Sequence, residues 1–290
     1  NAHEATDEDL FNVLPDHRLE GALLSHESKA HWLIGLAAAG GYFAVLLVVF
    51  TGARKYSKGL LFAGLFTGTV GILLLLLFQW AAYAAPLTLR GGGRVGLVLL
   101  IVKLIGMSYS LAESDAGFFL SFLGFTCGVG LCEEITKAIP LLLRVKSTPG
   151  GDNATWGNLL LWGLASGIGF GVAEGIMYCG QHYNGLAGSE IYYVRFISCV
   201  VLHAVWSGAV GVTLYNRQSW LHESDNNWVY CFRVVLIVLV PMILHGLYDT
   251  LLKQDYHEWA LVVALLSFGW LAFQIERMHR KEPSTMLAGA

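Results

Sequence analysis

Charge is what this sequence has least of. Asp, Glu, Lys and Arg make up 13% of its 290 residues, against 55% hydrophobic residues and a mean hydropathy of +0.57. A soluble globule carries about twice that share of charge, so a water-facing surface is excluded. Seven of the 21 acidic residues (Glu4, Asp7, Glu8, Asp9, Asp16, Glu20, Glu27) precede residue 30, which leaves the remainder poorer still. No basic cluster occurs and the formal net charge is -3. That excludes nucleic acid as a partner, because phosphate binding needs several converging Lys or Arg. The five cysteines are odd in number and none has zinc-knuckle spacing, which excludes a disulfide scaffold. Cys127, Cys132, Cys199 and Cys231 lie in or beside apolar runs and read as small buried residues. Strand-like alternation is absent, as are internal repeats and paired interrupted helices, so a barrel, a solenoid and an inverted-repeat transporter are excluded as well.

What is present is a series of long apolar runs. A hydrocarbon core needs about 20 apolar residues per helix, and the runs predict an all-α polytopic membrane helix bundle of about eight transmembrane helices. The approximate limits are 31–50, 60–85, 95–112, 118–143, 159–180, 196–215, 234–252 and 257–275. The first run follows thirty mostly polar residues and lacks a small-residue cleavage site, so it reads as a span and not as a signal peptide. The chain begins at Asn1 in place of Met, which reads as a processed or trimmed start. The domain reading is an acidic tail over 1–30, with a surface helix around Leu19–Leu24 as one form for it, a membrane-embedded domain over 31–276, and a tail over 277–290. Eleven Lys and Arg flank the spans on the side of the N-tail and five on the other, Arg54, Lys55 and Lys58 being the dissenting group. The excess places both termini of this multi-pass membrane protein in the cytoplasm.

Ionisable side chains at bilayer depth cost about 2.5 to 3.5 kcal/mol each on insertion scales, so every one needs a reason. Glu133, Glu134 and Lys137 fall in the fourth span, Glu174 in the fifth, His203 in the sixth, and His245 with Asp249 in the seventh. Lys103, in the third, reads as a snorkelling or carboxylate-paired residue. From span midpoints and helical rise, His203 and His245 lie within about 5 Å of the midplane, and Asp249 and Glu174 about 8 to 10 Å from it, all toward the loops 113–117, 179–195 and 253–256. Glu133 lies about 4 Å to the other side, an offset that helix tilt absorbs. The expected site is therefore a cavity enclosed by the fourth to seventh spans and open toward those loops.

Spacing adds geometry. Lys137 follows Glu134 by three residues and Glu133 by four, so its ammonium reaches either carboxylate. His245 and Asp249 are four apart on one face, and Pro241 precedes them by one turn. Gly163, Gly167, Gly171 and Gly175 form a stripe that permits close helix approach, with Gly124 and Gly128 of the fourth span as the expected counterpart. Each intramembrane residue alone is compatible with a satisfied interhelical hydrogen bond, and the glycine stripe with packing alone. Asn153-Ala154-Thr155 matches a glycosylation sequon by pattern, on the expected cytoplasmic side, and carries no assignment.

Two histidines, four carboxylates and one lysine in successive spans suit hydrolysis of a peptide bond in a membrane cavity. In one version His203, His245 and Glu174 or Asp249 bind zinc, and Glu133 deprotonates its water. In the other, without metal, Glu133 activates water while the histidines, oriented by Asp249, stabilise the oxyanion. Glu134 reads as supportive. No His-Glu-x-x-His and no Gly-x-Ser-x-Gly is present to choose a zincin or a serine hydrolase. A scaffold or immunity protein, or a proton-coupled carrier using the carboxylates as a relay, is the rival class. Retention of a base with both histidines favours the protease.

The motifs Glu133-Glu134-x-x-Lys137, Phe170-x-x-x-Glu174, His203-Ala204-x-Trp206-Ser207 and His245-Gly246-x-Tyr248-Asp249, one per span and in this order, resemble those of the PrsW family of intramembrane proteases. That family is related to the CAAX prenyl endopeptidases, to bacteriocin-processing and immunity proteins, and to the scaffold subunit of γ-secretase. The resemblance covers roughly residues 118–252. It implies cleavage of a membrane-anchored protein substrate, with site-one cleavage of an anti-sigma factor on the extracytoplasmic side as the family's example. It also implies Phe170 and Lys137 as supporting residues. The CAAX relatives carry His at the position of Glu174, and Arg one residue further from the Glu pair than Lys137.

Overall fold

The computed structural model describes residues 28–84, 93–115, 117–147, 155–178, 190–223 and 226–282. The acidic tail up to residue 27, with Leu19–Leu24, and the sequon Asn153 lie outside them. Among the described residues there is no strand. Eight helices are long and apolar enough to cross a membrane: α1 (Ser28–Val49), α2 (Gly52–Ala82), α3 (Gly93–Glu113), α4 (Phe118–Ser147), α5 (Trp156–Tyr178), α6 (Val194–His222), α7 (Asn227–Lys253) and α8 (His257–Lys281). They are the eight expected spans. The protein is a multi-pass membrane protein with a helical bundle fold.

Burial separates centre from rim. The most apolar stretches of α5 and α6 are 78% and 72% buried, against 11% and 17% for α1 and α3. In water such exposed leucines and valines would be a liability, but lipid is their solvent. The central pair is held by the glycine stripe. A methyl group on Gly163 would overlap the Ser207 carbonyl, one on Gly167 the His203 carbonyl, and one on Gly171 would stand 2.8 Å from the Val200 Cα. The stripe therefore seats α5 on α6, a correction to the expectation that it meets α4. Gly124 and Gly128 of α4 pack instead against Ala112 and Tyr109 of α3. A stripe of small residues states that something approaches closely and leaves open which helix does.

The other face of α5 receives α2. Gly64 and Gly68 lie against the Ala165 and Gly169 carbonyls, and the Thr67 hydroxyl donates to the Ser166 carbonyl at 2.7 Å. Here α2 runs parallel to α5, with Gly59 beside Trp162 and Leu75 in the cluster that contains Met177. α1 runs the opposite way, since Gly35 abuts Ile176 and the Tyr42 hydroxyl donates to the Phe196 carbonyl at 3.0 Å. The end of α8 lies at the other end of the bundle, where Met278 clusters with Trp156 and Tyr215 bonds Glu282 at 2.9 Å. The described ends of the chain thus lie at opposite ends of the bundle. The expectation was of a shared face for the two termini. Strict alternation of direction fails between α2 and α3, which residues 85–92, outside the described ones, connect.

Three helices carry a π-helical turn: Thr67–Gly71 in α2, Phe125–Gly130 in α4 and Val194–Cys199 in α6. Each inserts a residue into the helical register and re-aims the side chains that follow. In α4 the turn lies just before Glu133. It packs on α7, where a methyl on Gly246 would stand 2.6 Å from the Thr126 Cα and one on Gly130 2.8 Å from the Met242 carbonyl.

Candidate active site

The ionisable residues of α4 to α7 converge on one buried cluster. Glu133, Glu134, Lys137, Glu174, His203, His245 and Asp249 are each at most 8% exposed. The Lys137 ammonium is its hub. It donates to Glu134 Oε1 at 2.6 Å and lies 2.8 Å from His203 Nδ1, with Glu133 Oε2 at 3.9 Å. The Phe170 ring stands 4.8 Å away, which gives the ammonium an aromatic face and accounts for the motif phenylalanine.

Each histidine is gripped on both nitrogens. His203 Nε2 lies 2.5 Å from Glu174 Oε2, so Nε2–H donates to that carboxylate and Nδ1 is left to accept from Lys137. His245 Nδ1 lies 3.0 Å from Glu134 Oε1, and its Nε2 3.3 Å from Asp249 Oδ2 and 3.7 Å from Glu133 Oε2. The Trp206 indole stacks on His245 with ring centres 4.5 Å apart and donates from Nε1 to Ser267 of α8 at 3.0 Å. α8 thereby braces the site although it contributes none of the ionisable residues.

α4 and α5 meet where Pro140 interrupts the hydrogen-bond ladder of α4. There the Ser166 hydroxyl donates to the Lys137 carbonyl at 2.7 Å. Glu133 and Glu174 approach each other through this contact and not through the glycine stripe.

Two residues stand beyond the sequence reading. Arg195, counted there as a loop charge, is 3% exposed in the π turn of α6, with Nη1 3.7 Å from Glu174 Oε1. Its position eight residues before His203 puts both on one helix face, a signal that was available. Gln79 of α2, 4% exposed, lines a narrow cleft that reaches Glu133 and Glu174. Ile72, Leu75 and Leu76 form its α2 wall, and Phe170 and Met177 lie opposite. The expectation of a cavity walled by the fourth to seventh spans is corrected here: α2 supplies a wall, because its parallel packing on α5 brings it alongside.

The donor set suits a divalent metal on two counts. Single donor atoms of Glu133, His203 and His245 all lie within 4.8 Å of one another. Glu133 Oε2 is buried without a hydrogen bond, a state that leaves a lone-pair site open. The cluster also holds four carboxylates against two fixed cations, Lys137 and Arg195. With neutral imidazoles and ionised carboxylates, two negative charges remain to be balanced by a divalent ion or by two protons. Glu174, the carboxylate expected with the two histidines, is engaged by His203 and Arg195, and Glu133 is the carboxylate that approaches both imidazoles. A metal on His203 would displace one of its partners, Lys137 or Glu174.

The family model described as PrsW family intramembrane metalloprotease matches residues 70–274, well over half of the chain. The chain belongs to the PrsW family. It is an intramembrane protease, and the matched region contains every site residue named above. Protease PrsW of Bacillus subtilis (strain 168) is 28% identical over 176 residues, covering 60% of this chain and 73% of that protein. Protease PrsW of Clostridioides difficile (strain 630) is 23% identical over 181 residues, covering 60% of this chain and 69% of that protein. No solved structure matches.

Proposed function

We propose that this PrsW-family protease hydrolyses a peptide bond of a single-pass membrane protein, with Glu133 as the base on water. The observation that carries the reading is the position of Glu133: buried, with one oxygen unbonded, beside both histidines and on the wall of the cleft. Glu133 takes a proton from water, the hydroxide oxygen bonds to the scissile carbonyl carbon, and the proton passes to the leaving amide nitrogen as the C–N bond breaks. His245, with a carboxylate at each nitrogen, is held to donate toward the oxyanion. Glu174 and Arg195 fix the ring of His203, and Glu134 holds Lys137 and His245 in place.

His203 and His245 with Glu174 or Asp249 would hold a zinc ion, which would supply Lewis-acid polarisation and a more acidic water, and Glu133 beside both histidines stays free as the base. The donor set and the charge excess support this reading over the metal-free one. The substrate class follows from the family resemblance, a membrane-anchored anti-sigma factor being its example.

The test is cleavage of a single-pass substrate by purified protein in liposomes. Glu133→Gln should abolish turnover, and undiminished turnover removes the base. Elemental analysis should find about one divalent ion per chain, absent from a His203→Ala, His245→Ala double variant. Full activity in chelator with no bound ion would select the metal-free route.

A further inference from the structure

α8 lies at the rim of the bundle and gives the site no ionisable residue, yet one of its side chains is tied to the aromatic centre of the site. Leu265, Leu266 and Phe268 are exposed toward lipid, while Ser267 beside them is 1% exposed and turned inward. Its hydroxyl donates to the Val263 carbonyl at 2.8 Å. That commits its single hydrogen and leaves the oxygen free to accept, which it does from Trp206 Nε1 at 3.0 Å. A buried indole N–H must find an acceptor, so this bond ties the ring to α8.

The same indole meets three groups of the site. It stacks on His245 with planes 21° apart, meets His203 edge-on with ring centres 5.7 Å apart, and has the Lys137 ammonium 5.8 Å from its centre. Glu134 and Asp249 meet His245 at its two nitrogens, along the edge of the ring, and leave its tilt open. The terminal torsion of a histidine is broad, so a ring held only by its edge can swing. The indole face closes that freedom.

The register of α8 on α6 is pinned a second time. Seven residues further along both helices, the Gln274 amide meets the Thr213 hydroxyl at 3.0 Å. Seven residues are close to two helical turns, so the two contacts share one face of two parallel helices. Leu271 fills the interval, packed with Val205 and Ala209. Of the two polar contacts, the one at Ser267 alone leads to a histidine of the site.

We propose that α8 is a positioning helix of the active site: Ser267, through its bond to the Trp206 indole, sets the tilt of the His245 imidazole. The inference rests on the hydrolytic reading above, in which His245 donates toward the oxyanion, and adds to it a residue from outside the four motif helices. Ser267 touches no reacting atom. Its hydroxyl therefore governs the rate of the chemical step and leaves substrate binding unchanged.

The test separates the hydroxyl from the space it fills. Ser267→Thr keeps the acceptor and Ser267→Val removes it, in side chains of nearly equal size. With the full chain in liposomes and a synthetic single-span peptide that the wild type cleaves, Ser267→Val should lower kcat about tenfold or more with KM unchanged, because small misplacements of a catalytic group cost that much. Ser267→Thr should stay near wild type. Ser267→Ala, which adds no bulk, should repeat the loss if valine impairs folding. Gln274→Leu breaks the second contact of the same interface and should lower the melting temperature while leaving kcat in place. Equal kcat in the Thr and Val variants, or a loss of kcat in Gln274→Leu as large as that in Ser267→Val, would overturn the proposal.

A second readout does not depend on turnover. With 5-fluorotryptophan in place of the nine tryptophans, the Trp206 resonance is identified by its absence from Trp206→Phe. Its fluorine shift should move in Ser267→Val and Ser267→Ala and return in Ser267→Thr, in the wild-type and Glu133→Gln backgrounds alike. A resonance indifferent to the hydroxyl would overturn the positioning role. Normal cleavage by Glu133→Gln would instead defeat the hydrolytic reading and leave the fluorine shift to decide whether Ser267 orients the indole.

Discussion

At the scale of single residues, the two neighbouring glutamates are set apart by their partners. Glu134 is fully buried with its Oε1 bonded to both Lys137 and His245 at 2.6 and 3.0 Å, whereas Glu133 meets the same two side chains only at 3.9 and 3.7 Å. Removing one partner of a buried pair costs about 3 to 5 kcal/mol. Glu134→Gln should therefore lower the thermal unfolding temperature in detergent well below that of Glu133→Gln, which should stay near wild type; equal melting of the two would remove the distinction. Arg195 acts through Glu174 and is a positioning residue. Arg195→Ala should cut kcat by about tenfold or more and displace the pH profile of cleavage, with partial rescue in Arg195→Lys, because a lysine keeps the charge and loses the fork. A purely structural arginine would change melting and leave the pH profile in place. The motif residues were legible in the sequence because an ionisable group inside an apolar run stands out. Arg195 was passed over despite its spacing from His203, since arginine at a span edge ordinarily reads as a loop charge, and Gln79 carries no such contrast.

At the scale of elements, all eight helices were legible from run length, and their packing was not. The π turns leave no mark in composition, yet the one in α4 sits where Thr126 meets Gly246 and so sets how α4, bearing Glu133 and Glu134, faces α7, bearing His245. The glycine stripe was visible, and its partner was misassigned because small residues encode proximity without identity. Its weight is testable. Gly167 touches the backbone of His203 itself, so Gly167→Ala pushes α6 away and moves a histidine of the site. Overpacking of this kind costs about 1 to 3 kcal/mol. It should lower both melting temperature and kcat, whereas Gly41→Ala, with nothing within 4 Å of the added methyl, should change neither. Unchanged turnover in Gly167→Ala would mean that α6 has slack which the contacts deny.

At the scale of the whole molecule, the direction of α2 decides how the loop charges are read. Alternation from the N-tail puts Arg54, Lys55 and Lys58 opposite the other basic loops, which made them the dissenting group. In the bundle, α2 begins beside the start of α5, the end that also bears Arg144 and Arg280. This brings Arg54, Lys55 and Lys58 to the end that bears Arg144, Lys146 and Arg280, leaving Lys29, Arg195 and Lys253 at the other. From the rule that cytoplasmic loops are rich in Lys and Arg, we propose that the end bearing Arg54 and Arg144 is cytoplasmic. The first turn of α1, where His31 lies beside Tyr192, belongs to the opposite end. Glu174 and Asp249 lie toward that same end, near the close of α5 and α7, so on this proposal water and substrate reach the site from outside. The expected result is that, in intact cells of a cysteine-free background, a membrane-impermeant thiol reagent labels Lys29→Cys from outside and labels Lys58→Cys and Lys281→Cys only after permeabilisation. Labelling of positions 29 and 281 from the same side would restore strict alternation. It would also mean that α2 cannot lie parallel to α5, and the wall of the cleft would go with it.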